Sequence, residues 1–211
     1  MNLPNKISCI RIALLPIFVF FYLATFIPCN YLIAAIIFGI AALTDMIDGK
    51  IARKYNLITD LGKFLDSIAD KLVVIAALVL VTVDGTIPAP YGVIISIIII
   101  SREFMVSALR QIAASRGTVL AADMWGKYKA TFQFVSLPLL MFQAQAYASN
   151  WFAGTGFMVL QIINYVLLGV VTALTIVSAI HYFVKNRAVL TEEPAKVQVT
   201  NVVSNKTEEN K

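Results

Sequence analysis

Residues 44–83 read TDMIDGKIARKYNLITDLGKFLDSIADKLVVIAALVLVTV. Up to Lys71 the stretch carries five aspartates and five basic residues, and from Leu72 to Val83 it carries no charge at all. The uncharged half decides the fold. A bilayer admits only helices and closed barrels, because every backbone polar group must be satisfied internally. Runs such as IAALVLVTV (75–83) and VIISIIII (93–100) lack the alternation that barrel strands require, which leaves helices. The rest of the chain agrees, since 59% of its 211 residues are hydrophobic, 14% are charged, and the mean hydropathy is +0.81.

Apolar runs of about 20 residues, enough to cross a hydrocarbon core of roughly 30 Å, recur along the sequence. The expectation is an all-α polytopic membrane protein with six transmembrane helices: Ile7 to Ile27, Leu32 to Ala52, Gly62 to Val83, Tyr91 to Ala113, Trp125 to Tyr147 and Phe157 to Val184. The N-terminal run has no convincing cleavage site and is read as a retained span rather than a signal peptide. Residues 1–184 form the transmembrane domain. Residues 185–211 are polar and free of aromatics, the composition of a flexible tail.

Lysine and arginine set the orientation, because they are retained on the cytoplasmic side. Lys6 and Arg11, then Lys50, Arg53, Lys54 and Lys63, then Arg116, Lys127 and Lys129, and finally Lys185 and Arg187 cluster around one set of loops. The alternate loops, PCNY, DGTIPAP and ASNWFAGTG, contain neither residue. Both termini and the charged half of the opening stretch are therefore expected at the cytoplasmic face. The net charge of +5 is spread along that face and accompanies no nucleic-acid-binding motif, so a nucleic-acid partner is excluded. Cys9 and Cys29 stand at opposite ends of the first span, about 30 Å apart along a helix, too far for a disulfide. The sequon NKT at Asn205 falls in the cytoplasmic tail and is discarded.

An ionisable residue inside a membrane helix is costly unless it is paired, faces water or binds something. Asp45, Asp48 and Ala52 fall on one stripe of the second span, and Gly62, Asp66 and Asp70 repeat a four-residue step on the third. The two helices are antiparallel across a short connection, so four carboxylates can meet near one end. Bare, they would repel one another. Divalent cations would hold them ionised, and hard oxygen donors favour Mg²⁺ or Mn²⁺, which often brings a phosphate. Gly49, Ala52 and Gly62 leave room beside the carboxylates, although small residues also serve helix packing. Arg53 suits a phosphate or a snorkelling interfacial role. Lys71 either reaches a phosphate or balances the carboxylates. Asp60 and Asp84 fall in loops and read as solvated.

The pattern Asp45-x-x-Asp48-Gly49-x-x-Ala52-Arg53, eight residues, then Gly62-x-x-x-Asp66-x-x-x-Asp70 resembles, without gap or substitution, the signature of the CDP-alcohol phosphatidyltransferase family. The resemblance implies a six-helix membrane enzyme, usually a homodimer, that transfers a phosphatidyl or similar group from a CDP-linked donor to an alcohol and releases CMP. It further implies that Asp45, Asp48, Asp66 and Asp70 hold two divalent cations, that Asp70 is also the general base, and that Gly49, Ala52, Arg53 and Gly62 line the CDP site.

A second charged set bears on the acceptor. Arg102 and Arg110 stand eight apart near one helical face in SREFMVSALRQIAASRG, and Lys127 and Lys129 follow in WGKYKATFQ. Four cations suit a phosphorylated acceptor better than a neutral alcohol. The competing reading makes the lysines positive-inside residues and pairs Arg102 with Glu103 or an aspartate. These stretches, with the opening MNLPNKISCIRI that makes Asn5 a candidate donor contact, resemble a bacterial plasma-membrane branch of the family. That branch joins CDP-diacylglycerol to sn-glycerol 3-phosphate, giving phosphatidylglycerophosphate. Ser67 in place of proline, Ser8 in place of threonine and KYKAT in place of KxKTT depart from the pattern without touching an aspartate.

Elsewhere the expectations are structural: an interfacial or packing His181, membrane-anchoring Trp125 and Trp151, and helix-shaping Pro16 and Pro138. Two rival functions stand beside the leading one. Another acceptor, such as an inositol phosphate, serine or phosphatidylglycerol, would keep the chemistry. A cation transporter would need aspartates tracing a path across the bilayer, whereas these cluster at one face.

Overall fold

The computed structural model describes the backbone of residues 3–54, 60–115, 120, 123–152 and 154–187, and their side chains except those of residues 3–8, 45–54, 60–61, 63–66 and 115. Six helices follow one another: α1 (Leu3–Leu23), α2 (Asn30–Lys54), α3 (Asp60–Val83), α4 (Tyr91–Ser115), α5 (Met124–Ala148) and α6 (Thr155–Lys185). No strand occurs among the described residues. The all-helical expectation holds, with Pro16 inside α1 and Pro138 inside α5. Helix α1 is shifted towards the N-terminus relative to the sequence reading, and the cause is local. Pro28 disfavours helical geometry at Ile27, and Cys29 takes a positive φ of 58°, so the chain turns early. Asn30 then donates its side-chain amide to the Tyr22 carbonyl at 2.8 Å, which satisfies one of the orphan acceptors at the end of α1.

Helix α1 packs on α2 and α3, α2 on α5, α5 on α6, and α6 on α4, which returns to α3. A core drawn from all six elements fills the middle: Phe18, Phe38, Leu78, Ile99, Leu140 and Val171 are buried within it. A smaller cluster of Val106, Leu109 and Tyr182 joins α4 to α6 near the end where both helices finish.

The distribution of polarity is what lipid demands. Large apolar side chains such as Phe20, Ile36, Ile97, Phe104, Ile163 and Ile180 point outward, while Gln133, Gln143, Asn164, Thr175 and Ser178 are buried. Bilayer tails are as apolar as leucine, so helix association rests on packing and interhelical hydrogen bonds. Among the described residues, two helical segments, Tyr91–Ala114 and Thr155–Lys185, are long and apolar enough to cross a membrane, and Cys9–Leu23 and Asn30–Thr44 are shorter apolar stretches. The hydroxyls of half-buried Thr82 and Thr172 and of buried Thr175 donate to the carbonyl four residues back in their own helices.

At the end away from the charged motif, polar residues bind the loops to the bundle. Asn164 on α6 donates to Gln143 Oε1 at 2.8 Å and to the Leu139 carbonyl at 3.2 Å, and Gln143 reaches back to the Thr86 carbonyl at 3.4 Å. Asp84, expected to be merely solvated, is a tether. It accepts hydrogen bonds from the Tyr22 hydroxyl and from the Thr86 amide, so the α3–α4 loop is tied to α1. Both cysteines are free. Interhelical hydrogen bonds in membranes are worth about 1–2 kcal/mol at most. Asn164→Ala should therefore lower the detergent-solubilised protein's stability by about that amount, read as a fall of a few degrees in Tm.

Candidate active site

The signature divides between the last three turns of α2 and the first three of α3. Asp48 lies six residues before Lys54 and Asp66 six residues after Asp60, about 9 Å along each axis from the ends joined by the connection. Asp45 and Asp70 lie nine and ten residues in, about 14–15 Å. Counted from those joined ends, Asp48 matches Asp66 in depth and Asp45 matches Asp70. The side chains of Asn5, Asp45, Asp48, Gly49, Ala52, Arg53 and Asp66 lie outside the described ones, so their contacts are not part of this description. Gly62 and Asp70 are described, and both are half-buried.

Around Asp70 the structure separates two readings of its neighbour. Lys71 turns back along its own helix, donating to the Ser67 carbonyl at 2.7 Å and the Ser67 hydroxyl at 2.8 Å. The Ser67 hydroxyl gives the ammonium an acceptor that proline, the residue of many members of the resembled family, would lack. Lys71 is thus held by its own helix, yet remains within electrostatic range of Glu103.

Glu103 is the centre of the second charged set. Lys129 on α5 donates to its Oε1, and Arg102 Nη1 donates to the same oxygen at 3.3 Å. One carboxylate thus serves two cations, and the cluster keeps one net positive charge. Lys129 is 2% exposed and the side chain of Arg102 is 11% exposed, so these ions are held in the protein interior, where each needs a partner. Lys129 also lies within electrostatic range of Asp70 on the third helix. The pairing of Arg102 with Glu103, weighed from sequence as an alternative to acceptor binding, is present; it leaves the cluster cationic because Lys129 is added.

Helix α6 supplies the remaining contacts to α4. Ser178 accepts from Arg102 Nε at 3.1 Å and from Nη2 at 2.8 Å. Tyr182 accepts from Arg110 Nε at 3.1 Å, and its ring lies 5.4 Å from the Arg110 guanidinium carbon. Gly126, at the start of WGKYKAT, leaves room for this arrangement, because a Cβ there would stand 3.1 Å from Arg102 Nη2. Lys127 is set apart: it is exposed, and its described contacts run through its backbone, to the Asp123 carbonyl and from the Thr131 hydroxyl. The four proposed acceptor cations therefore separate into a buried pair of Arg102 and Lys129, an Arg110 held by Tyr182, and a peripheral Lys127.

Sequence reading missed Ser178, Tyr182 and Gly126, since a serine, a tyrosine and a glycine in apolar helices ordinarily signal packing. It also left Arg11 as a flanking charge, whereas Arg11 is buried in α1. His181 contacts Asp123 at 3.0 Å, joining α6 to the start of α5. A separate cavity of about 480 Å³ opens at the opposite end, beside Tyr31, Asp84, Gln143, Tyr147 and Tyr165, and no signature residue lines it.

A helical bundle with carboxylates and buried cations gathered at one end defines a class through its sequence family. The family model for CDP-alcohol phosphatidyltransferases matches residues 1–177, and the chain belongs to that family. Among curated relatives, a CDP-diacylglycerol–glycerol-3-phosphate 3-phosphatidyltransferase of Bacillus subtilis is 46% identical over 66% of this chain and 76% of its own length. Proteins of the same name from Haemophilus influenzae and Escherichia coli are 39% and 38% identical, over 86% and 67% of this chain and 91% and 78% of their own lengths.

Removing one partner of a buried ion pair typically costs about 3–5 kcal/mol, because the other charge is left uncompensated. Lys129→Met should cost towards the low end of that range, since Arg102 still faces Glu103. Adding Glu103→Gln should deepen the loss, because Arg102 is then left without its carboxylate, and thermal unfolding of both single variants and the double variant measures the coupling.

Proposed function

We propose that this chain is a six-span membrane enzyme that transfers the phosphatidyl group of CDP-diacylglycerol to sn-glycerol 3-phosphate, releasing CMP and phosphatidylglycerophosphate. The observation that carries the proposal is the uninterrupted aspartate signature on α2 and α3, in a chain 31–46% identical to relatives named CDP-diacylglycerol–glycerol-3-phosphate 3-phosphatidyltransferase. In this reading residues 1–184 are the catalytic domain and residues 185–211 a cytoplasmic tail. The domain sits in the plasma membrane as a homodimer with the charged end towards the cytoplasm. Lipid tails would stay among the helices while the soluble acceptor arrives from water.

Asp45, Asp48, Asp66 and Asp70 are the residues that would hold two divalent cations, Mg²⁺ or Mn²⁺. Their matched levels and hard oxygen donors fit such ions, which when bound would neutralise the diphosphate and stabilise the departing CMP. Asn5, Gly49, Ala52, Arg53 and Gly62 would line the cytidine diphosphate, with the small residues leaving space and Arg53 meeting phosphate oxygens.

The acceptor's phosphate would be received by Arg102, Arg110, Lys127 and Lys129. The buried pair keeps one positive charge after Glu103 is counted, and Arg110 adds a second, a balance that suits a phosphate dianion. Asp70 would take the proton from the acceptor hydroxyl as its oxygen bonds to the phosphatidyl phosphorus. The bond from that phosphorus to CMP breaks, and CMP leaves with the electron pair. That Lys129 lies within electrostatic range of Asp70 supports this reading, because the acceptor-binding cation and the base then act on one region.

Purified protein given CDP-diacylglycerol and Mg²⁺ or Mn²⁺ should release CMP with glycerol 3-phosphate and not with inositol phosphate, serine or phosphatidylglycerol. A chelator should abolish the release and added metal restore it. Asp66→Asn and Asp70→Asn should each remove turnover, by about a hundredfold or more for a lost base, without unfolding the protein. CMP release driven by a different acceptor would overturn the acceptor assignment, and undiminished activity in both aspartate variants would overturn the site.

A further inference from the structure

We propose that Ser178 and Tyr182 of α6 are positioning residues for acceptor binding, fixing the guanidinium groups of Arg102 and Arg110 in the orientation that receives the phosphate. The inference rests on the reading that these arginines bind the acceptor.

The buried face of α6 changes character along its length. Leu168 and Val171 serve the central core, and from there the same face continues as Thr175, Ser178 and Tyr182. Apolar side chains would pack against α4 equally well, and in a low-dielectric interior a buried hydroxyl costs free energy unless it is partnered. Thr175 meets that cost within its own helix. Ser178 and Tyr182 instead spend their oxygens on arginines of another helix.

At Ser178, which is 0% exposed, the hydroxyl donates to the Thr175 carbonyl at 3.4 Å. That leaves its lone pairs to accept two hydrogen bonds from one edge of the Arg102 guanidinium, Nε and Nη2. Glu103 fixes a third nitrogen, Nη1, and Gly126 leaves space beside Nη2. A guanidinium carries its donors in a rigid planar fork, so binding two nitrogens to one oxygen sets the plane of the whole group.

Tyr182 holds Arg110 differently. It is 1% exposed and anchored by Val106 and Leu109, so its ring and hydroxyl are fixed relative to α4. The hydroxyl accepts from Nε and the ring lies near the guanidinium, which leaves Nη1 and Nη2, the pair suited to bidentate phosphate binding, outside that hydrogen bond. Ser178 and Tyr182 are four residues apart and so lie on one face of α6, which acts as a single rack for two cations from α4.

Steady-state kinetics in detergent, with each substrate varied in turn, test this on Ser178→Ala and Tyr182→Phe, alongside Arg102→Ala and Arg110→Ala. Hydrogen bonds to charged groups are among the stronger ones, so each α6 variant should raise the KM for glycerol 3-phosphate about tenfold, leave that for CDP-diacylglycerol within about twofold, and shift Tm little. Ser178→Thr, which restores the hydroxyl, should recover acceptor binding lost in Ser178→Ala. Equal rises in both KM values, or a rise matched by a large loss of Tm, would assign the two residues to packing and overturn the proposal. Normal acceptor KM in Ser178→Ala and Tyr182→Phe, with raised KM in the arginine variants, would overturn positioning while keeping the acceptor site. Normal KM in the arginine variants would remove the acceptor reading and this inference with it. Should Ser178→Ala fail to fold, Tyr182→Phe, which removes one oxygen atom, decides the matter.

Discussion

A charge placed among apolar helices has to be answered by another group, and the arrangement of Glu103 between Arg102 and Lys129 is how this protein meets that requirement. The carboxylate comes from α4 and one cation from α5, while the other cation is braced by α6. Three helices are thereby registered against one another at the end of the bundle where the signature lies. Apolar packing alone tolerates sliding and rotation between helices, whereas an ion cluster with directional hydrogen bonds does not. Lys129 of the cluster also lies within electrostatic range of Asp70 in the signature.

The two ends of the bundle use polarity for different purposes. At the end with the α3–α4 loop, Asp84, Asn164, Gln143 and Tyr22 pair with one another or with backbone groups, which fastens loops to helices. Near the signature end Arg102 and Lys129 share the single carboxylate of Glu103, which leaves that cluster with one excess positive charge. In the proposed function a bound phosphate would balance that excess, which would connect the packing of α4, α5 and α6 with phosphate transfer.

Much of this was legible in the sequence, for reasons that can be stated residue by residue. Six helices follow from uninterrupted apolar runs, and the levels of the four aspartates follow from their spacing. The end of α1 was misjudged because hydropathy continues through Phe26 and Ile27, whereas the turn is dictated by Pro28 and sealed by Asn30. The sharing of Glu103 was not derivable from spacing. Arg102 and Glu103 are adjacent, and adjacent helical residues do not ordinarily face each other, so their contact depends on long side chains converging on Lys129 of another helix. Ser178 and Tyr182 left no signal at all, since a hydroxyl in an apolar helix is most often satisfied by its own backbone and only the three-dimensional neighbour reveals a different partner. Asp84 looked like a loop carboxylate because its partner, Tyr22, is distant in the chain and apolar on average.

The account depends most on metal being held between α2 and α3. Anomalous diffraction at the manganese edge, from crystals grown with Mn²⁺ and CDP-diacylglycerol, tests that directly. Two peaks bracketed by Asp45, Asp48, Asp66 and Asp70, on the side of α3 that neighbours Lys129, are the predicted result. Manganese bound elsewhere, with none between those helices in crystals that contain the nucleotide lipid, would contradict it.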